Sequence, residues 1–133
     1  FAFAVAQSVA STANTLTVGG IAANDTVTFG NGVDYIADFV QGTDKLDVTT
    51  AAAAPTTLLG VTTAAALTAG TSYVAYGTWN AVAGTFTVAA AFNAITAADA
   101  MVVVDGNGQT AITTTGVVIL DNLAAALAAG DII

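Results

Sequence analysis

The stretch Asp25-Thr26-Val27-Thr28-Phe29-Gly30-Asn31-Gly32-Val33-Asp34-Tyr35-Ile36 decides how the chain is read. Val27 and Ile36 stand nine positions apart, Asp25 and Asp34 keep the same spacing, and Val18 continues the apolar series upstream. Short strands separated by Gly/Asn/Asp turns at a fixed period are the pattern of a β-solenoid or β-roll. Gly30 and Gly32 permit a tight turn. Asp34 offers a hard oxygen ligand, and Ile36 is placed to fill the interior.

Downstream, Phe39, Leu46 and Val48 are core candidates around a turn at Gln41-Gly42-Thr43-Asp44. Residues 51–70 are Ala/Thr-rich around Pro55, and 63–69, closed by Gly70, read as a short helix. A hairpin follows. Residues 72–79 alternate in part, 80–84 turn, and 85–92 run back. Residues 94–100 read as a connector containing up to one helical turn. Met101-Val102-Val103-Val104 reads as a buried strand, and further strands are expected at 110–115 and 117–120. Asp121 or Asn122 is positioned to cap a last helix over 123–129, with Gly130 at its end. Upstream, Phe1, Phe3, Val5 and Val9 alternate with small residues. This is either an ordinary edge strand or an assembly strand inserted into a neighbouring subunit.

The expected architecture is therefore mostly β. Residues 1–13 form an N-terminal strand or extension. A short β-roll or β-solenoid-like part spans 14–50. An antiparallel β-sandwich-like part with one or two short helices spans 51–133.

Composition narrows function sharply. Of 133 residues, 32 are Ala, 22 Thr and 13 Gly, so three small residue types fill half the chain. All nine acids are Asp, Lys45 is the sole basic residue, His, Arg and Cys are absent, and the net charge is −8. His-based triads, His or Cys metal centres and Arg phosphate clamps cannot be built, and nucleic acid is repelled. An Asp pair could in principle hydrolyse glycosides, but beyond Phe only Trp79 and three Tyr offer a sugar platform. We therefore expect no enzyme. No run of about 18 apolar residues exists, so no membrane span is expected. The chain begins at Phe1, as a processed product or a piece of a longer chain would.

Gly30-Asn31-Gly32-Val33-Asp34-Tyr35-Ile36 matches most of the nonapeptide G-G-x-G-x-D-x-U-x, with Phe29 in place of the first Gly. With Asp34 to Val48 and the closing Asp131-Ile132-Ile133, it resembles the C-terminal region of RTX-type proteins exported by type I secretion. The Ala/Thr/Gly/Asp bias is similar to that of bacterial surface-layer proteins using the same route. The resemblance covers residues 25–48 well and 120–133 loosely. It implies calcium, with Asn31, Asp34, Asp38, Asp44 and Asp47 as oxygen donors, and a secretion signal carried by Leu123, Leu127, Asp131, Ile132 and Ile133. Two departures stand out. Leu16 and Ala52 occupy the positions eighteen residues on either side of Asp34, where a stacked site needs further Asp, and Ile21 and Ala23 replace glycines before Asp25. The alternative for Asp34 is a turn residue bonding main-chain amides. Asp105-Gly106-Asn107-Gly108 lacks the Glu of an EF-hand and reads as a turn.

The resulting expectation is a non-enzymatic extracellular or cell-surface protein. It would be a self-assembling subunit of a surface layer or matrix filament, joined through β-strand contacts and aided by calcium. Its partners would be copies of itself and, during export, a type I secretion machinery. The alternative is a β-roll cap and secretion-signal module of a larger secreted hydrolase or adhesin.

Overall fold

The computed structural model describes residues 21–29, 33–47, 55–59, 71–104 and 116–133. Among these residues seven strands are present: β1 (Thr26–Thr28), β2 (Asp34–Ile36), β3 (Thr56–Thr57), β4 (Tyr73–Asn80), β5 (Thr85–Val88), β6 (Asp99–Val104) and β7 (Gly116–Leu120). They form one open, curled sheet in the order β1-β5-β4-β6-β7-β2, with β3 also paired to β4. The β2–β7 and β3–β4 pairs are parallel and the others antiparallel.

The β4–β5 hairpin forms because its turn satisfies its own amides. The Asn80 side-chain oxygen accepts the N–H groups of Val82 at 3.1 Å and Ala83 at 3.0 Å. Gly84, at φ +64°, donates to the Asn80 carbonyl at 2.8 Å, in a backbone region that favours glycine. Gly77 has a different cause. A Cβ there would stand 2.0 Å from the Thr87 carbonyl oxygen, so only glycine lets β4 and β5 approach.

Strand alternation sends side chains into two cores, one on each face of the sheet. Tyr73, Ala75, Phe86, Val88, Met101, Val103, Val117 and Ile119 enter the first, joined by Ile21, Val27, Phe29 and Leu58. Val74, Ala100, Val102, Val118 and Leu120 enter the second, which is covered by Phe39, Leu46, Leu123, Leu127 and Ile132. Strands β6 and β7 are thus buried on both faces, which explains why Met101-Val102-Val103 and Val117-Val118-Ile119-Leu120 read as unbroken apolar runs. Strands β5 and β6 flank β4 and run parallel to one another, so no hairpin can join them. Residues 89–98 make the connection, and Phe92 packs edge-on against Tyr76 with ring centroids 5.3 Å apart.

Several expectations need correction. Val27 and Ile36 do not stack as successive coils of a roll. β1 and β2 lie at opposite ends of the sheet order, and the two side chains serve different cores. Nor is the later part a separate antiparallel sandwich. β2, from the 14–50 segment, pairs in parallel with β7 within the same sheet. Residues 123–129 are not helical. The Leu123 amide donates to the Ala98 carbonyl at 2.8 Å, the Leu127 amide to the Tyr76 hydroxyl at 2.9 Å, and the Ala128 amide to Asp131 at 2.8 Å. In a helix over 123–129 the Leu127 and Ala128 amides would instead bond the carbonyls of residues 123 and 124. Residues 94–96 form a turn closed by Asn93 and Ala97, and no helix occurs among the described residues. The helix expected at 63–69 and the strand expected at 110–115 lie outside the described residues.

Candidate functional site

Acidic and amide side chains recur in one role. The Asp25 carboxylate accepts the Ala22 amide at 2.8 Å, Asp44 accepts Val40 at 2.9 Å, and Asp131 accepts Ala128 at 2.8 Å. Asn93 accepts Ile95 at 2.9 Å and Thr96 at 3.2 Å. Short polar side chains placed this way satisfy turn amides that no strand reaches. This is the turn role weighed above for Asp34, seen here at other residues. Asp34 is the first residue of β2.

Of the residues assigned to calcium, Asn31 lies outside the described residues. Asp38 is exposed, Asp44 is engaged by Val40, and Asp47 is half-buried beside Leu46. Among the described residues, no three acidic side chains come together as a metal-holding group. The assembly-strand residues Phe1, Phe3, Val5 and Val9 also lie outside the described residues.

The residues assigned to secretion lie in the fold's second core region. Leu123, Leu127, Asp131 and Ile132 are buried, and Ile133 is partly exposed. Ile132 bridges in parallel to Leu46, flanked by bonds from the Leu46 amide to the Asp131 carbonyl at 2.8 Å and from the Ile133 amide to the Leu46 carbonyl at 3.0 Å. Asp131 also accepts the Gly42 amide at 2.7 Å and lies 4.0 Å from the Lys45 ammonium. Lys45 is therefore paired across the chain as well as being near Asp44 and Asp47 in sequence.

A second constellation stands where β4, β6 and β7 run out. Strand pairing between β6 and β4 stops at Asp99 and Gly77. Beyond it, Asp99 accepts the Trp79 amide at 2.6 Å and the Asn122 amide at 3.0 Å, extending the sheet by a side chain. Asn122 sits at φ +56° to present that amide. Burial raises the Asp99 carboxyl above its ordinary range; the two amide bonds oppose the shift and neighbouring Asp121 adds to it. Asp121 in turn accepts the Tyr35 hydroxyl, and that bond pushes the Tyr35 phenol up to about 12. No sequence motif links this trio, because Tyr35 lies far from Asp99 and Asp121 in the chain.

The features best suited to contact another molecule lie elsewhere. Val82 and Ile95 are 99% and 92% exposed. Each stands two residues after an Asn whose side chain locks the turn, in the matching sequences Asn80-Ala81-Val82 and Asn93-Ala94-Ile95. A groove of about 520 Å³ opens where β3 and the start of the 89–98 connection meet β4, lined among others by Leu59, Tyr76, Ala90 and Phe92. No charged residue occurs from Val48 to Ala98, so the turns and nearly all the groove lie in a charge-free run of the chain. Asp25 borders this side, and its carboxylate folds back onto Ala22. The repeated Asn-Ala-β-branched triplet and the uncharged run were the sequence signals available for this surface.

No helix among the described residues is long and apolar enough to cross a membrane. No known family model matches the chain, and neither a curated protein nor a solved structure does.

Proposed function

We propose that the chain is a non-enzymatic structural subunit that assembles with copies of itself at or outside the cell surface. The observation that carries this reading is the pair of wholly exposed aliphatic side chains, Val82 and Ile95, on turns locked by Asn80 and Asn93. Rigid presentation lowers the entropy lost when such side chains are buried against a partner. Export by a type I route is supported by the resemblance of residues 25–48 and of the Asp131-Ile132-Ile133 end to RTX-type proteins. Burial of Leu123, Leu127 and Ile132 is compatible with that route, because an export signal is read before the chain folds.

Calcium enters the proposal as a bridge that offsets the −8 charge when copies approach. Exposed Asp38, with Asp34, Asp44 and Asp47, is where it would act. The test is electron microscopy and sedimentation of the purified chain with calcium and with chelator. Ordered assemblies support the reading, and their dissolution by chelator supports calcium. A monomer in both conditions overturns it.

A second reading, the secretion-signal module of a larger secreted hydrolase or adhesin, rests on the same C-terminal resemblance. Fusion of residues 51–133 to a reporter in a type I secreting host tests the export signal. Retention of the reporter inside the cell removes this reading.

A further inference from the structure

The register of β6 and β7 brings two carboxyl groups face to face. Ala100 pairs with Leu120, so the rung just beyond the ladder sets Asp99 opposite Asp121. Met101 and Ile119, two residues inward on each strand, both enter the first core, so the two Asp side chains leave the same face of the sheet. They stand within hydrogen-bonding reach of one another. We infer that Asp99 and Asp121 hold one proton between them, and that its release parts the end of β7 from β6, making this corner of the sheet a pH-operated latch.

The charge inventory requires a proton there. Like charges directly opposed across two strands are destabilising, and a cation is the usual relief. Lys45, the chain's one basic side chain, lies instead at Asp131. From β2 the pair meets the Tyr35 phenol, which donates to Asp121 and keeps its own proton up to about 12. From β4 it meets Gly77 and the Trp79 amide, while the Tyr76 hydroxyl accepts the Leu127 amide. Asp34, the other acid of β2, is level with Val118, three residues short of Asp121, and Asp38 beyond the strand is exposed.

Both carboxyls are also held in place. Asp99 is buried and accepts the Trp79 and Asn122 amides, and half-buried Asp121 accepts the Tyr35 hydroxyl. Neither can turn away without giving up a bond. A proton between them replaces repulsion with a charge-assisted hydrogen bond. The pair guards a seam. Just past it the Leu123 amide donates to the Ala98 carbonyl at 2.8 Å, where the segment covering the second core leaves the sheet. On the outer side of β7, the short β2 buries little, with Tyr35 46% exposed, so few apolar contacts resist local opening.

The test is carbon-13 nuclear magnetic resonance of the aspartate carboxyls across pH, with amide hydrogen exchange of the same chain. The Asp99 and Asp121 carbons are each expected to move in both of two steps, as coupled groups do. Asp121→Asn is expected to weaken the hold of Asp99 on its proton by about tenfold or more. Two carbons that each titrate in one separate step, or an Asp99 unchanged by Asp121→Asn, overturn the shared proton. As pH passes the upper step, and after correction for the intrinsic pH dependence of exchange, protection of the Leu123 amide is expected to fall about tenfold more than that of amides within the β4–β6 ladder. Asp99→Asn should abolish that extra loss. A loss equal in all strands, or none at Leu123, overturns the latch. Circular dichroism checks that the variants fold, and should Asp121→Asn unfold, the wild-type carbons alone decide whether the proton is shared.

Discussion

Asp131 accepts the main-chain N–H of Gly42 at 2.7 Å, tying the end of the chain to a turn 89 residues earlier. The same carboxylate accepts the Ala128 amide, and its main chain pairs with Leu46. One buried side chain thus fastens the two segments that cover the second core.

Asp131→Ala should therefore lower stability by about 1.5–3 kcal/mol, because two amides lose a charged acceptor. Lys45→Ala should cost no more than about 1 kcal/mol, since a partly exposed ion pair at 4.0 Å contributes little. Urea denaturation of both variants checks the ordering. Equal losses would mean that the ion pair, not the amide bonds, holds the strap.

Asp99 gives the chain an unusual pH response. Its folded-state pKa is raised, chiefly by burial. The stability it contributes is complete below the ordinary carboxylate value of about 4, and is lost as pH rises through the raised folded value. Relief of the −8 self-repulsion acts in the same direction. The thermal midpoint should rise as pH is lowered from neutral toward the ordinary carboxylate value of about 4, and should rise less in Asp99→Asn. A midpoint that falls over this range in wild type would contradict the assignment.

At the alkaline end, the bond from Tyr35 to Asp121 holds the phenol proton up to about 12. Its contribution is present below the ordinary tyrosine value and is lost as pH rises through the folded one. Ultraviolet titration of wild type minus Tyr35→Phe should show one phenolate forming near that higher value. A difference curve centred on the ordinary tyrosine pKa would remove the bond from the account.

Gly77→Ala should destabilise by at least about 2 kcal/mol, because the new methyl meets the Thr87 carbonyl and the Phe86 ring edge. Thermal unfolding measures it. A loss below about 0.5 kcal/mol would mean that β4 and β5 can separate freely at this point.

The parts of the fold legible in the sequence are those with a local cause. Turn chemistry at Asn80 and Gly84 places the hairpin, and the apolar runs at Met101 and Val117 mark strands buried on both faces. The burial of Phe39 and Leu46 follows from their apolar side chains beside a polar turn. Strand order was not legible. The period of nine between Val27 and Ile36 looks like stacking, yet pairing with β5 and β7 carries these residues to opposite ends of the sheet. Leu123 and Leu127 at helical spacing misled for a related reason, since the partners of their amides, Ala98 and Tyr76, are distant in sequence. The main-chain bonds of Asp25, Asp44 and Asp131 were not legible, because their partners are fixed only by the folded backbone. The exposed turns were legible in principle, as the repeated Asn-Ala-Val and Asn-Ala-Ile triplets, whereas the groove exists only once β3 lies beside β4.

The central claim, that copies assemble through the exposed turns of Val82 and Ile95, is tested most directly by cross-linking. The chain has no cysteine, so introduced thiols report without background. Val82→Cys mixed with Ile95→Cys under mild oxidation should give intermolecular disulfides, while Asp38→Cys, in the Asp-rich segment 34–47, should cross-link far less. Cross-linking through Asp38→Cys as efficient as that through Val82→Cys and Ile95→Cys would contradict it.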